Sequence, residues 1–159
     1  LFELLLLEGM QAGLSWLTIL KKRQYMRQVF AGFSPDYLAN LREVDIARLM
    51  QDPGIIRNKR KLLALKQNAK AYLNFLDSDD FSTFIWSFVA GQPKQNAWLN
   101  KNQVPSESEE SAALSRELKC RGFSFVGPTI CYAFMQSAGL VNDHTADCYL
   151  FCKTKEPAE

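Results

Sequence analysis

The chain has 159 residues, of which 47% are hydrophobic and 23% charged, with a formal net charge of +2. That balance excludes disordered, collagen-like and coiled-coil proteins, and the length suits one domain with a core of its own. The one membrane-like run, Leu4 to Leu7, is bracketed by Glu3 and Glu8. It falls far short of the roughly 20 apolar residues that a bilayer span needs.

In chain order, the apolar positions Leu1, Leu4 and Leu5 predict a helix through Glu8 that fades at Gly13. Ser15 stands where an N-cap belongs, ahead of Trp16, Leu17, Ile19, Leu20 and the basic run Lys21-Lys22-Arg23. Gly32 stops that helix. Ser34-Pro35-Asp36 starts another, with Pro35 at the first helical position, where its missing N–H costs nothing. Asp52-Pro53-Gly54 breaks the chain again, and apolar residues at helical spacing predict a helix over Ile55 to Phe75. Phe81 to Val89 reads as a short aromatic helix and Gly91 to Pro105 as a surface loop. Ser106 to Lys119 is acidic at its start and basic at its end, as a helix dipole favours. Gly122 to Gly127 is a tight connector into a helix over Pro128 to Ser137, ended by Gly139. A last helix is expected over Asp143 to Phe151. No pair of runs alternates like a hairpin of strands, and nothing repeats. The class is all-α.

Charge is distributed unevenly. Residues 1–75 carry twice as many basic as acidic residues, and the remainder is net acidic. A polyanion partner on the basic face is compatible with this, as are two differently solvated surfaces. The four cysteines, Cys120, Cys131, Cys148 and Cys152, form no disulfide framework, and their gaps do not suit a four-cysteine iron–sulfur cluster. No signal peptide is visible, so a reduced cytoplasmic compartment is expected. The opening at Leu1, without a methionine and already inside an apolar run, predicts an earlier segment.

Three groups of residues could carry chemistry. In Arg121-Gly122-Phe123-Ser124-Phe125-Val126-Gly127-Pro128-Thr129, a helix runs through a short apolar loop into the N-terminus of the next. Gly127 leaves room for another backbone, and the N–H groups beyond it attract an anion such as a phosphate. This is the helix–hairpin–helix way of holding a DNA backbone without reading bases, although an ordinary αα-corner would look alike. His144 and Cys148, four apart on a helix, would present two zinc ligands on one face. A closed site needs four ligands. Cys152 is a candidate third, and the plain alternative is a capping histidine near a buried cysteine. The run Glu8-Gly9-Met10-Gln11-Ala12-Gly13-Leu14-Ser15-Trp16 sets a carboxylate and an indole beside two glycines. That suits a flat, cationic or hydrogen-bonding ligand, against the alternative of a solvated Glu8 and a core Trp16. The basic stretch Arg57 to Lys61 could touch phosphates or simply open a helix.

Taken together, the stretches LEGMQAGLSWLTILKKR, QDPGIIRNKRKLLA, FIWSFV and RGFSFVGPTICYAFMQSAGLVNDH, followed by Cys148, resemble the DNA-3-methyladenine glycosylase I (Tag) family of base-excision repair enzymes. They occur in the family's order over nearly the whole chain.

The resemblance implies a helix–hairpin–helix DNA glycosylase fold with a zinc site joining the termini, as a single helical domain over 1–159 with its hairpin at about 119–131. It implies a monomer that acts on double-stranded alkylated DNA and releases free 3-methyladenine, with no membrane partner. Glu8 takes the catalytic role and lines the base pocket with Trp16, while Gly127 meets the DNA backbone. His144 and Cys148 match two ligands of a structural zinc. The family's other two, a Cys and a His, lie in an N-terminal segment absent from this chain, as do several aromatic residues of the base pocket. Two departures from the wider superfamily matter. Its Val-Asp-Thr-His pattern is Val141-Asn142-Asp143-His144 here, so Asn142 replaces a reactive Asp. Its lyase lysine, two residues after the hairpin's last glycine, is Thr129. A monofunctional glycosylase is the consistent reading. The competing one is a zinc-stabilised helical module that grips damaged DNA without cleaving it.

Overall fold

The computed structural model describes residues 1–76 and 79–151. Eight α-helices form its body: α1 (Phe2–Gln11), α2 (Trp16–Val29), α3 (Pro35–Ala39), α4 (Glu43–Leu49), α5 (Lys59–Leu76), α6 (Phe81–Ser87), α7 (Glu109–Cys120) and α8 (Pro128–Ser137). The only strands among the described residues are β1 (Lys94–Gln95) and β2 (Val141–Asn142), paired in parallel. The all-α expectation therefore holds.

The order of burial follows from the sequence. Helix α1 is apolar almost all round, and Leu5, Leu6, Leu7 and Met10 are fully buried. A helix without a polar face belongs in the middle of a core. It packs on α8, α2 and α5, with α7 against α8 and α3 against α5. At its edge Glu3 pairs with Arg23 of α2 at 2.9 Å and Arg27 at 3.8 Å. Its C-terminal carbonyls are closed by Lys61, a buried side chain whose ammonium donates to Met10 O at 2.7 Å and Ala12 O at 2.6 Å. Burial holds the Lys61 pKa below the ordinary lysine value. The basic stretch Arg57 to Lys61, open to phosphate contact or to a plain helix start, thus contributes one lysine to the interior, where it fixes the turn between α1 and α2.

Several boundaries differ from the sequence reading. Helix α5 begins at Lys59 and not at Ile55, because Ile55 and Ile56 are buried in non-helical backbone and Asn58 Oδ1 caps Lys61 N at 3.2 Å. Helix α4 is separate from α3, and at its start Asp45 Oδ2 accepts from Arg42 N at 3.0 Å and Arg42 Nε at 3.1 Å. The 91–105 loop contains β1 and a 3-10 turn, Lys101–Gln103. Most consequentially, 143–151 is not a helix. The segment runs in turns, with Cys148 N bonded to Thr145 O at 2.8 Å and Phe151 N to Cys148 O at 2.9 Å. Those are bonds to the third preceding residue, and the fixed side chain of Asp143 holds the segment in this path.

Gly54 is more than a chain breaker. A Cβ there would lie 2.2 Å from Tyr25 Cε1, so the glycine makes room for a ring whose hydroxyl donates to Asp52 Oδ2 at 3.0 Å. Cys131 is buried in α8, and burial pushes its thiol up to about 12, which leaves it unreactive. No helix among the described residues is long and apolar enough to cross a membrane.

Candidate active site and nucleic-acid interface

Glu8 sits on the last turns of α1 and is only 2% exposed. Its Oε1 accepts a hydrogen bond from Ser137 Oγ at 2.6 Å, which ties α1 to the C-terminus of α8. Burial pushes the Glu8 carboxyl above its usual range, and the Ser137 hydrogen bond pulls it part of the way back. An ionised carboxylate has about four acceptor positions. Ser137 takes one, so Glu8 retains capacity for a ligand.

Ser137 also lines a cleft of about 570 Å³ with Gln136, Val141, Asn142, Asp143 and His144. Glu8 therefore lies one hydrogen bond behind the wall of this cleft. Trp16, the first residue of α2, is half-buried, and Ser15 caps its helix by accepting from Thr18 N at 3.2 Å. It does not line the cleft beside Ser137. Glu8 and Trp16 lie on either side of the turn that Lys61 holds.

Asp143 lines the same cleft. Asn96 and Trp98 donate to its Oδ1, and Tyr132 and Gln136 to its Oδ2, all at 2.7 Å. Burial raises its pKa, but the four hydrogen bonds together outweigh that and hold it below the ordinary carboxyl value. Asn142, also buried, donates to Gln95 Oε1 and accepts from His144 N. Sequence reasoning did not find Ser137, Trp98 or the Asp143 cluster. The partners lie as far as 47 positions away for Asn96, and no local motif marks them.

His144 and Cys148 do come together, although through turns and not along one helix face. Cys148 Sγ and His144 Nδ1 are 3.5 Å apart. A tetrahedral zinc with sulfur at about 2.3 Å and nitrogen at about 2.0 Å has an S···N edge of about 3.5 Å, so the pair fits two corners of such a site. No group of three or more possible ligands exists among the described residues, and Cys152 lies outside them.

The hairpin joins α7 to α8. Phe123 N bonds Leu118 O at 2.9 Å to close α7. Phe123 and Val126 are buried, and Val126 O accepts from Ser115 Oγ at 2.6 Å. The loop is clamped to α5 by Asn68, which donates to Ser124 O and accepts from Ser124 N. Its Phe125 approaches α1 so closely that a Cβ on Gly9 would already be 3.4 Å from it. Gly127 is the N-cap of α8 with φ −64° and ψ 163°, a conformation open to any residue. A Cβ there would meet nothing within 4 Å. Neither the backbone conformation nor packing within the chain requires glycine at this position.

These features define a helical protein with a helix–hairpin–helix motif beside a buried carboxylate. Residues 1–152 match the methyladenine glycosylase family, and the chain belongs to it. It is 50% identical over 149 residues to DNA-3-methyladenine glycosylase 1 of Escherichia coli (strain K12), covering 93% of this chain and 80% of that one. Over 155 residues it is 52% identical to the DNA-3-methyladenine glycosylase of Haemophilus influenzae, covering 97% and 83%. Among solved structures, 3-methyladenine DNA glycosylase I of Staphylococcus aureus, described for its recognition of 3-methyladenine, superposes with a TM-score of 0.89 at 37% identity. That match covers 99% of this chain and 82% of the other.

Proposed function

We propose that this chain is a base-excision repair glycosylase that flips 3-methyladenine out of alkylated duplex DNA and hydrolyses its N-glycosidic bond, without lyase activity. The observation that carries the reading is the buried Glu8 carboxylate, hydrogen-bonded to Ser137 with acceptor capacity to spare, in a member of the methyladenine glycosylase family. An enzyme acting on a base must first take it out of the stack, which costs a few kcal/mol and less at a damaged pair. In DNA, N3-methyladenine is cationic and already an activated leaving group. Glu8, held by Ser137, pairs with that charge, and Trp16 stacks on the ring. The bond from the base to the sugar carbon breaks with its electrons moving onto the base, which neutralises it. Water bonds to the sugar carbon and gives its proton to solvent.

The remaining residues support hydrolysis without a strong general base or a covalent step. Asn142 has no carboxylate to offer, and Asp143 already accepts four hydrogen bonds. Thr129, where lyases have lysine, cannot form a Schiff base. The reading includes a monomer in the cytoplasm that meets DNA through Gly127. Released 3-methyladenine, measured from alkylated duplex with this chain and with a longer form carrying the N-terminal segment, tests it. Tight binding of damaged duplex without release by either form would select the binding module.

The reading also includes a structural zinc held by His144 and Cys148, with two ligands from the family's N-terminal segment. In a site closed by four protein ligands the metal contributes folding energy and leaves no position for water. Cys148→Ala in the longer form is expected to lose the metal and melt at lower temperature, while the folded fraction keeps base affinity. The 159-residue chain alone is expected to hold zinc weakly. One tightly held zinc per such chain in a metal analysis would refute the N-terminal ligand set.

A further inference from the structure

We propose that the groove between α5 and the start of the hairpin holds the phosphate backbone of the duplex flanking the damaged nucleotide. The inference deepens the glycosylase reading and rests on it. The groove has a volume of about 360 Å³, and its polar lining is Lys66, Gln67, Lys70, Asn74 and Arg121, with Gly122 at the hairpin end. None of its lining residues is acidic.

Three observations distinguish it from an ordinary solvated helix face. First, its lysines are uncompensated: neither Lys66 nor Lys70 enters an ion pair among the described residues. Lys59, Lys66 and Lys70 recur at spacings of seven and four, so they follow one face of α5. Second, Arg121 is positioned in advance. Its guanidinium lies 4.7 Å from the Phe84 ring centroid and 5.2 Å from that of Phe75, with Glu117 at 3.7 Å. A cation already fixed against two rings loses little freedom when a phosphate arrives. Third, the groove is rigidly joined to the hairpin that ends at Gly127. Gln67 Nε2 donates to Gly122 O at 2.7 Å, and Asn68 bonds Ser124 twice. A backbone seated on the hairpin therefore meets these cations in a fixed register.

Duplex DNA presents one negative charge per roughly 1.7 Å of axis, and each phosphate neutralised steepens the salt dependence of binding by about 0.9. The test is the slope of log affinity against log salt for undamaged duplex. Lys70→Gln, on an exposed residue, is expected to make that slope about 1 shallower and to weaken damaged and undamaged duplex alike. Lys66→Gln/Lys70→Gln is expected to make it about 2 shallower. Because Lys66 also donates to Leu41 O, the single variant keeps the test independent of any folding defect in the double. An unchanged slope in Lys70→Gln overturns the proposal, as does a change seen with single-stranded DNA and not with duplex. Release of 3-methyladenine by the unaltered protein is measured in parallel. Its absence, with the slope change present, refutes the glycosylase reading and leaves the groove standing. Its presence with an unchanged slope refutes the groove alone.

Discussion

Glu8→Gln is expected to cut excision of 3-methyladenine from alkylated DNA and affinity for the free base by about 10- to 100-fold. That is the loss of one charge-assisted hydrogen bond, about 1.5–3 kcal/mol. The amide still accepts from Ser137, so the packing of α1 on α8 survives. Stability moves the other way. Burial raises the folded-state pKa of Glu8 above its unfolded value. The folded protein then binds more protons than the unfolded chain, and the associated stability is complete below the ordinary carboxyl range and lost as pH rises through the raised pKa. Above the raised pKa the parent bears an ionised buried carboxylate that the glutamine variant lacks. The variant is therefore expected to melt at the same or a higher temperature there, with the difference closing in acid. Excision by the parent is expected to fall as pH drops through the same raised pKa, and the variant is expected to lack that step. A variant that unfolds while its folded remainder binds base normally would make Glu8 a core residue.

Gly127→Val is expected to weaken damaged and undamaged duplex equally. Phosphate contacts position a protein without reading sequence. A branched side chain at the start of α8 would keep the DNA backbone from the helix's N–H groups. Losing one such charge-assisted contact costs about 1.5–3 kcal/mol, again 10- to 100-fold. Because its backbone suits any residue and its Cβ would meet open space, the variant is expected to stay within about 1 kcal/mol of the parent in stability. Weakening confined to damaged duplex, measured by titration beside undamaged duplex of the same length, would place Gly127 in the base pocket.

Most helices were legible because their ends are written locally. Ser15 and Ser34 cap by side chain, and Pro35 and Pro128 sit where proline is free. What could not be read depends on partners distant in sequence. The spacing of His144 and Cys148 is helical, yet Asp143 is bonded to Asn96, Trp98, Tyr132 and Gln136, and those bonds override local preference. Asp52-Pro53-Gly54 reads as a turn, and nothing in it announces the Tyr25 ring that Gly54 accommodates. Local sequence leaves Glu8 open to two readings, a ligand carboxylate or a solvated helix end, and only the family resemblance gives it a role. Its partner in the interior, Ser137, lies 129 positions away.

The Glu8–Ser137 hydrogen bond also bears on how the protein folds, for it joins residues 129 positions apart. The entropy of closing a loop grows with the logarithm of its length, and a single hydrogen bond contributes about 1 kcal/mol net. That bond cannot close such a loop by itself. It forms because α1 and α8 dock, so the carboxylate becomes buried only after α8 has been synthesised and has met α1. A partly folded chain without that docking carries an ordinary solvated glutamate. On the proposed reading, base affinity then requires the docking of α1 on α8, and bound base is expected to shift the folding equilibrium by mass action.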